Sequence, residues 1–192
     1  MTENLFRAVL KHKALALVLG ALLLSACGQK KHHVAVIETD LGTIKFELLE
    51  DLSPKTAENF RLLAERGFYD GLIFHRTVNG FMIQGGDPNG NGSGGQTATG
   101  APLPNEIDPD SDFYKGGSYH RGIVAVANRG TPETGTSQFF IMHQNYPLKP
   151  NYTIFGRVIE GMEVVDKIAS APTSPPSNRP ASPVVMKKVY IQ

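Results

Sequence analysis

The chain has 192 residues, of which 19 are Lys or Arg and 18 are Asp or Glu, so its formal net charge at pH 7 is +1. This balance excludes the basic excess that is typical of nucleic-acid-binding proteins, and we expect no nucleic-acid partner. Cys27 is the single cysteine, which excludes an internal disulfide. Without the first 26 residues, the chain has the right length for one domain.

The amino-terminal segment has the pattern of a secretory signal peptide. Arg7, Lys11 and Lys13 form a basic region, and residues 14–24 are an almost uninterrupted apolar run. That run is shorter than the roughly 20 apolar residues that a transmembrane helix needs. We therefore predict that residues 1–26 are a leader that is removed in the mature protein, rather than a membrane span or a buried core helix.

Cys27 follows Leu24-Ser25-Ala26, and this stretch resembles a bacterial lipobox. The resemblance implies that the chain is cut before Cys27 and acylated there, with residues 27–33 as a tether and the membrane as a partner. Two acyl chains anchor a protein stably, whereas one binds marginally. Gly28 after the cysteine resembles lipoproteins of an outer membrane, on its periplasmic face; in a single-membrane cell the anchor would lie in the outer face of the plasma membrane. The alternatives for Cys27 are a free reactive thiol and an inert buried one.

From Val34 onwards the pattern is mainly that of β-strands. Alternating apolar residues on either side of Thr39–Gly42 predict a hairpin. Further strands are predicted over residues 72–78, 81–84, 123–127, 138–142, 153–158 and 184–191.

Two helices are predicted among these strands. Ser53-Pro54 has the pattern of an N-cap followed by proline at the first helical position, and helical spacing continues for about 13 residues until Gly67. A second short helix is predicted around residues 162–169, before a proline-rich loop over residues 172–183. Many short strands with two helices favour a closed barrel or a sandwich.

One segment, Phe74–Asp87, reads FHRTVNGFMIQGGD and closely resembles the cyclophilin signature. Three further segments match in the family's order, namely Gly90–Gly95, Gly122–Asn128 and Ser137–Ile141, and Tyr152–Val158 also fits. The resemblance covers residues 34–192. It implies a mainly β fold, a closed eight-stranded antiparallel β-barrel capped by two α-helices. It also implies a peptidyl-prolyl cis/trans isomerase that binds proline-containing polypeptides as a monomer, with no cofactor and no metal.

The chemistry of this reaction explains why an arginine is needed. Amide resonance gives a barrier of about 18–20 kcal/mol, and uncatalysed X-Pro isomerisation takes roughly 10–100 s. In the twisted amide the prolyl nitrogen gains a lone pair that can accept a hydrogen bond. Arg76 is suited to donate this bond, because a guanidinium has several rigid N–H donors and stays protonated.

The resemblance assigns further residues to the substrate. Phe81, Met82 and Phe140 are similar to the family's apolar proline pocket, with Leu148 on one wall. Gln84 and Gln138 match positions that bind the substrate backbone or position the arginine. The remaining matches to substrate-binding positions are Ala127, Asn128 and Tyr152.

The chain departs from the family pattern near the pocket. It has no Trp, the stretch before Tyr152 is one residue shorter, and Tyr152 stands where many members have His. We therefore expect activity with poor binding of cyclosporin-like inhibitors. Arg129 stands where a small residue is frequent, and its charge predicts a mild preference for acidic residues upstream of the substrate proline.

The sequence also bears on two other classes of function. A binding module could hold proline-containing segments in the same groove, but it would need the pocket and not Arg76. A hydrolase is disfavoured because residues 27–192 contain no nucleophile elbow or metal-ligand spacing. The glycine run over residues 90–95 lacks the Lys-Ser/Thr ending of a phosphate-binding loop, which argues against nucleotide binding.

Overall fold

A computed structural model describes residues 32–192, so the predicted leader and Cys27 lie outside the described residues. The strands in this range are β1 (Val34–Thr39), β2 (Gly42–Leu48), β3 (Ile73–Phe74), β4 (Arg76–Val78), β5 (Met82–Gly85), β6 (Ser118–Tyr119), β7 (Ile123–Val126), β8 (Phe139–Met142), β9 (Tyr146–Pro147), β10 (Ile154–Glu160), β11 (Thr173–Ser174), β12 (Arg179–Pro180) and β13 (Val184–Ile191). The α-helices in the same range are α1 (Pro54–Glu65) and α2 (Met162–Ala169), and Pro132–Thr134 forms a short 3-10 helix.

The main sheet is antiparallel and closes on itself. Its strand order is β3-β13-β1-β2-β10-β7-β8-β5-β4. The two edge strands, β3 and β4, are consecutive in the chain and are separated only by His75. Counted as one strand bent at His75, they make the sheet an eight-stranded barrel, and the predicted fold is confirmed.

The opening hairpin forms as predicted. β1 pairs with β2 from Val34 opposite Glu47 to Thr39 opposite Gly42. Gly42 has a φ of +129°, and a Cβ there would run into Val164 of α2. The turn therefore needs glycine both for its backbone conformation and for the close approach of the helix.

Apolar residues from alternate strand positions fill the barrel interior. Ile37, Ile44 and Phe139 are almost fully buried there, as expected for side chains that share one face of a pleated strand. Both helices add to the same core, α1 through residues such as Phe60 and α2 through residues such as Val165. Each helix thus buries one apolar face against the sheet.

Helix α1 starts where the sequence predicts but is capped differently. Ser53 is the N-cap residue, yet its hydroxyl donates to the carbonyl oxygen of Ile154 instead of accepting from the helix. The N–H groups of Lys55 and Thr56 donate to the Glu106 carboxylate, both at 2.9 Å. A negative group from a distant loop thus satisfies helix donors that a local cap would normally satisfy.

Two short pairings fall in segments that carry no predicted strand. β6 pairs with β9, and β11 pairs with β12 inside the proline-rich loop. Within residues 32–192, no helix is long and apolar enough to cross a membrane. The predicted final strand agrees with β13 over Val184–Ile191.

Candidate functional site

A pocket of about 380 Å³ lies on the outer side of the barrel wall. It is lined by Arg76, Phe81, Met82, Gln84, Ala127, Asn128, Phe140, Tyr146, Leu148 and Tyr152. The structure therefore brings together nine of the ten site residues predicted for the domain. Gln138 does not line this pocket, and Tyr146 is the member that the sequence analysis missed.

Strand register explains why distant residues meet here. Arg76 on β4 lies opposite Gln84 on β5, and Gln84 lies opposite Phe140 on β8. Directly opposite residues of adjacent strands project to the same face of a sheet. Two motifs, Phe74–Asp87 and Ser137–Ile141, therefore contribute one row of side chains across three neighbouring strands.

Aromatic and aliphatic side chains form the apolar part of the pocket. Met82 and Phe140 are buried, and they pack with Leu148 and Tyr152 in a cluster separate from the barrel interior. The ring of Phe140 meets the ring of Tyr152 edge to face, with centroids 5.3 Å apart. Such a surface suits a proline ring, which has no polar atom to satisfy.

Tyr146 extends this apolar wall towards solvent. Its ring lies against Phe81 with centroids 4.3 Å apart, although the residue is 40% exposed. Short strand β9 holds Tyr146 opposite Tyr119 of β6. Tyr146 lies in the stretch that lacks the expected Trp, and this was the available sequence signal. Its contact with Phe81 could not be predicted, because the β6–β9 pairing that holds Tyr146 was not predicted either.

Arg76 brings the one permanent cation among the pocket residues. Its Nη1 lies 3.4 Å from Gln84 Oε1 and 4.0 Å from Met82 Sδ. Among residues 32–192, no carboxylate forms an ion pair with this guanidinium. Its charge therefore faces a half-buried site with an apolar wall on one side, where electrostatic interactions are stronger than in water.

Gln138 lies behind this row and orients it. Its Nε2 donates to the carbonyl oxygens of Gly92 and Gly94, at 3.1 and 2.7 Å. Its Oε1 must then face Gln84 Nε2, from which it accepts a hydrogen bond at 3.0 Å. Gln84 in turn presents its Oε1 to Arg76, so the glycine-loop carbonyls set the direction of both amides.

Asp87 holds the glycine loop in place. Its buried carboxylate accepts hydrogen bonds from the N–H groups of Asn89, Asn91 and Gly92. Burial by itself would raise the pKa of Asp87, but the three backbone donors outweigh it and the pKa is lowered. An ionised Asp87 thus fixes the carbonyls that orient Gln138.

A smaller cavity of about 70 Å³ adjoins the pocket. It shares Gln84, Ala127 and Asn128 with the pocket and is also lined by Arg129 and Gln138. The exposed Arg129 guanidinium donates to the carbonyl oxygen of Ser93 at 2.8 Å. A cation therefore stands at the edge of the groove, as the sequence predicts.

Buried tyrosines hold the segment that carries Tyr152. The carbonyl oxygen of Tyr152 accepts from the hydroxyls of Tyr119, at 2.8 Å, and Tyr114, at 3.3 Å. Burial raises the pKa of Tyr119 to about 12, so this hydroxyl remains a donor at any physiological pH. Asn128 Nδ2 anchors the same segment through the carbonyl oxygen of Asn151 at 2.6 Å.

Sequence comparisons with known proteins point to one family. Residues 34–191 match the family model described as cyclophilin type peptidyl-prolyl cis-trans isomerase/CLD. The chain is 46% identical over 156 residues to the peptidyl-prolyl cis-trans isomerase CYP18-1 of Arabidopsis thaliana, covering 81% of this chain and 93% of that protein. It is 41% identical over 156 residues to the peptidyl-prolyl cis-trans isomerase-like 3 of Homo sapiens, with the same two coverages.

Solved structures give the same answer for the fold. A cyclophilin type peptidyl-prolyl cis-trans isomerase of Cryptosporidium parvum superposes with a TM-score of 0.77 at 36% identity, covering 84% of this chain and 98% of that one. A crystal structure of that protein in the presence of the dipeptide Ala-Pro gives a TM-score of 0.75, also at 36% identity, with coverages of 83% and 98%. The chain therefore belongs to the family of cyclophilin-type peptidyl-prolyl cis-trans isomerases, enzymes that rotate the peptide bond preceding proline.

Proposed function

We propose that this isomerase acts on X-Pro bonds of exported polypeptides, assists their folding close to a membrane, and uses Arg76 as its catalytic residue. The observation that carries the catalytic assignment is the guanidinium of Arg76, which faces an apolar pocket and lacks a carboxylate partner among residues 32–192. An ion-paired arginine would have its donors occupied. Here Nη1 contacts Gln84 Oε1 and Met82 Sδ, which leaves further N–H groups of the guanidinium for substrate.

The proposed mechanism needs no proton transfer. The prolyl nitrogen of a planar amide has its lone pair delocalised into the carbonyl and accepts hydrogen bonds poorly. As the bond twists, the lone pair localises on the nitrogen, and an N–H of Arg76 donates to it. This interaction is stronger in the transition state than in either planar isomer, so it lowers the barrier and does not merely tighten binding.

The other pocket residues hold the substrate in this proposal. Phe81, Met82, Phe140 and Leu148 grip the proline ring, while the carbonyl side of the amide turns. The backbone near Ala127 and Asn128, together with Gln84, binds the neighbouring peptide groups, and Tyr152 closes the wall.

Replacing Arg76 tests the assignment. For Arg76→Ala we expect kcat/KM in a proline-isomer assay to fall by about 10²- to 10³-fold, the usual effect of removing one donor aimed at a transition state. Binding of a proline-containing peptide should change much less, since the apolar pocket is intact. Arg61→Ala is the matched control, because Arg61 is a partly exposed arginine on α1 that pairs with Glu65 and lies outside the pocket. Equal rates for wild type and Arg76→Ala would leave only the binding-module alternative.

The membrane anchor is the second part of the proposal. The basic segment, the apolar run and the Leu24-Ser25-Ala26-Cys27 stretch support lipidation at Cys27 and a location in the cell envelope, on the periplasmic face of an outer membrane where the cell has one. A fully extended tether from residue 27 to 33 reaches about 20 Å, which would keep the domain close to its membrane.

Fatty-acid labelling tests the anchor independently of catalysis. Wild type should incorporate label and fractionate with membranes, whereas Cys27→Ser should do neither. The isomerase activity of Cys27→Ser should equal that of wild type, because residue 27 lies outside the catalytic domain. Label retained by Cys27→Ser would refute lipidation at this cysteine.

A further inference from the structure

A cluster of polar side chains lies beside the turn that carries Phe81. This turn joins β4 to β5 and contains Asn79, Gly80 and Phe81. His143 follows directly after β8, and Asp166 belongs to α2. Arg121 precedes β7 and completes the cluster.

His143 is tied to the turn by two hydrogen bonds. Its main-chain N–H donates to the carbonyl oxygen of Phe81 at 2.8 Å. Its ring nitrogen Nδ1 lies 3.0 Å from the main-chain N–H of Gly80, from which it accepts a hydrogen bond. Gly80 has a φ of +79°, and its N–H is a fixed donor pointing at the imidazole.

The other side of the imidazole faces an ion pair. His143 Nε2 lies 3.2 Å from Asp166 Oδ1. Arg121 binds the same carboxylate through both terminal nitrogens, at 2.6 and 2.9 Å, and also donates to the carbonyl oxygen of His143. Hydrogen bonding from Arg121 lowers the pKa of Asp166, so this carboxylate is ionised and acts as an acceptor.

These contacts fix the proton of His143 on one nitrogen. Nδ1 accepts from Gly80 and must carry no proton, whereas Nε2 faces a carboxylate acceptor and must carry one. The arrangement is satisfied only by the neutral imidazole with its proton on Nε2. A second proton on Nδ1 would set one donor against another at Gly80.

We propose that His143 is a positioning residue for the isomerase: its neutral imidazole fixes the Gly80–Phe81 turn, and protonation of Nδ1 releases that turn and loosens the Phe81 wall of the pocket. The inference rests on the proposed role of Phe81 in gripping the proline ring. Loss of this hydrogen bond on protonation would make the enzyme sensitive to acid, although its catalytic arginine keeps its charge at any physiological pH.

The charges around His143 should confine the effect of protonation to the Gly80–Phe81 turn. The charged groups recorded against the imidazole are Asp166 from α2 and, through it, Arg121 from the turn before β7. An imidazolium would lose its bond to Gly80 but gain an ion pair with Asp166. Protonation should therefore disturb the turn while the cluster itself, and the fold, remain in place.

Nuclear magnetic resonance tests the geometry without reference to catalysis. At pH 8 the imidazole nitrogens of His143 should show Nε2 protonated and Nδ1 unprotonated. The Gly80 amide resonance should then shift as the pH is lowered from 8 to 5, because a proton on Nδ1 removes the acceptor of this N–H. A proton on Nδ1 at pH 8, or a Gly80 resonance that does not move, would overturn the proposal even if the enzyme is fully active.

Kinetics with a peptide that has no ionisable group test the consequence for the pocket. Wild-type KM should rise by about twofold to tenfold between pH 8 and pH 5, the range expected for losing one hydrogen bond, while kcat changes less. His143→Asn keeps an acceptor near the position of Nδ1 and cannot titrate, so its KM should stay flat with pH. His143→Leu removes the acceptor and should show the raised KM at every pH.

The matched control is His120→Asn, because His120 is an exposed histidine that directly precedes Arg121 in the chain. It should keep the wild-type pH profile. His75 is also buried, but burial lowers its pKa and so disfavours its protonation over this pH range. If His143→Asn keeps the wild-type profile, the titrating group is another one and the proposal is wrong.

Discussion

Phe139 and Phe140 are neighbours on β8, yet they belong to opposite sides of the barrel wall. The ring of Phe139 packs in the interior against Phe60, Tyr69 and Phe74, with centroid distances between 5.6 and 6.3 Å. Phe140 faces outward, where it meets Tyr152 and lines the pocket. Strand alternation alone assigns the two rings to different tasks.

Polar groups also have different surroundings on the inner and outer faces of the barrel wall. In the interior, the hydroxyl of Tyr69 donates to the Ser137 carbonyl oxygen, and burial raises the pKa of this tyrosine. On the outer side, polar groups are aimed at an open pocket, as in the row of Arg76 and Gln84. The same strands of the barrel wall therefore serve both stability and binding, because each face uses alternate residues of these strands.

Truncating the two phenylalanines separately is the strongest test of this division. Phe139→Ala should lower the free energy of unfolding by about 3–5 kcal/mol, because it leaves a cavity in a closed core. Phe140→Ala should cost less stability, since the space it leaves merges with an open pocket. Phe140→Ala should instead raise KM, because Phe140 contacts the proline ring of the substrate in both the planar and the twisted states of the amide. Denaturant unfolding and a proline-isomer assay measure the two effects. Equal losses of stability would contradict the division.

Gln138 tests whether the loop behind the outer face positions its chemistry. Gln138→Leu removes the amide that orients Gln84, so kcat/KM should fall by about tenfold, the effect of one buried hydrogen bond. Gln144→Leu, at an exposed glutamine beyond β8, is the matched control and should retain full activity. Unchanged kcat/KM for Gln138→Leu would mean that Arg76 and Gln84 do not need this support.

Tyr146 tests how far the apolar wall of the outer face extends. Tyr146→Ala removes the ring stacked on Phe81 and should raise KM by about threefold to fivefold, in line with the worth of one aromatic pair. Tyr146→Phe keeps the ring and should behave as wild type. A raised KM for Tyr146→Phe as well would show that the hydroxyl, and not the ring, contacts substrate.

Arg129 gives the smallest expected effect, because its charge is exposed. In a panel of peptides, an acidic residue upstream of proline should improve kcat/KM by about twofold to threefold, and added salt should reduce the preference. Arg129→Ala should abolish it. A panel with no bias, or with the opposite bias, would refute the role assigned to this cation.

Much of the fold could be predicted because its signals are local. The Thr39–Gly42 turn, the start of α1 at Pro54 and the bounds of β13 follow from turn chemistry, helix capping preferences and alternation. The family resemblance predicted ten site residues of the domain, and nine of them line the pocket. In the main sheet the strand count differed only because His75 divides one strand into β3 and β4.

Strand periodicity predicted the strands and the two helices, and the ordered family motifs predicted the barrel and the assignment of Arg76, Gln84 and Phe140 to the site, because these signals are local. The tertiary structure was needed to show that Arg76, Gln84 and Phe140 form one row, that Glu106 caps α1, that Gln138 lies behind the pocket, that Tyr146 packs on Phe81 and that His143 holds Gly80. These contacts join residues that are distant in the chain and follow no repeating pattern. Only the folding of the whole domain brings these residues within hydrogen-bonding or van der Waals distance of one another.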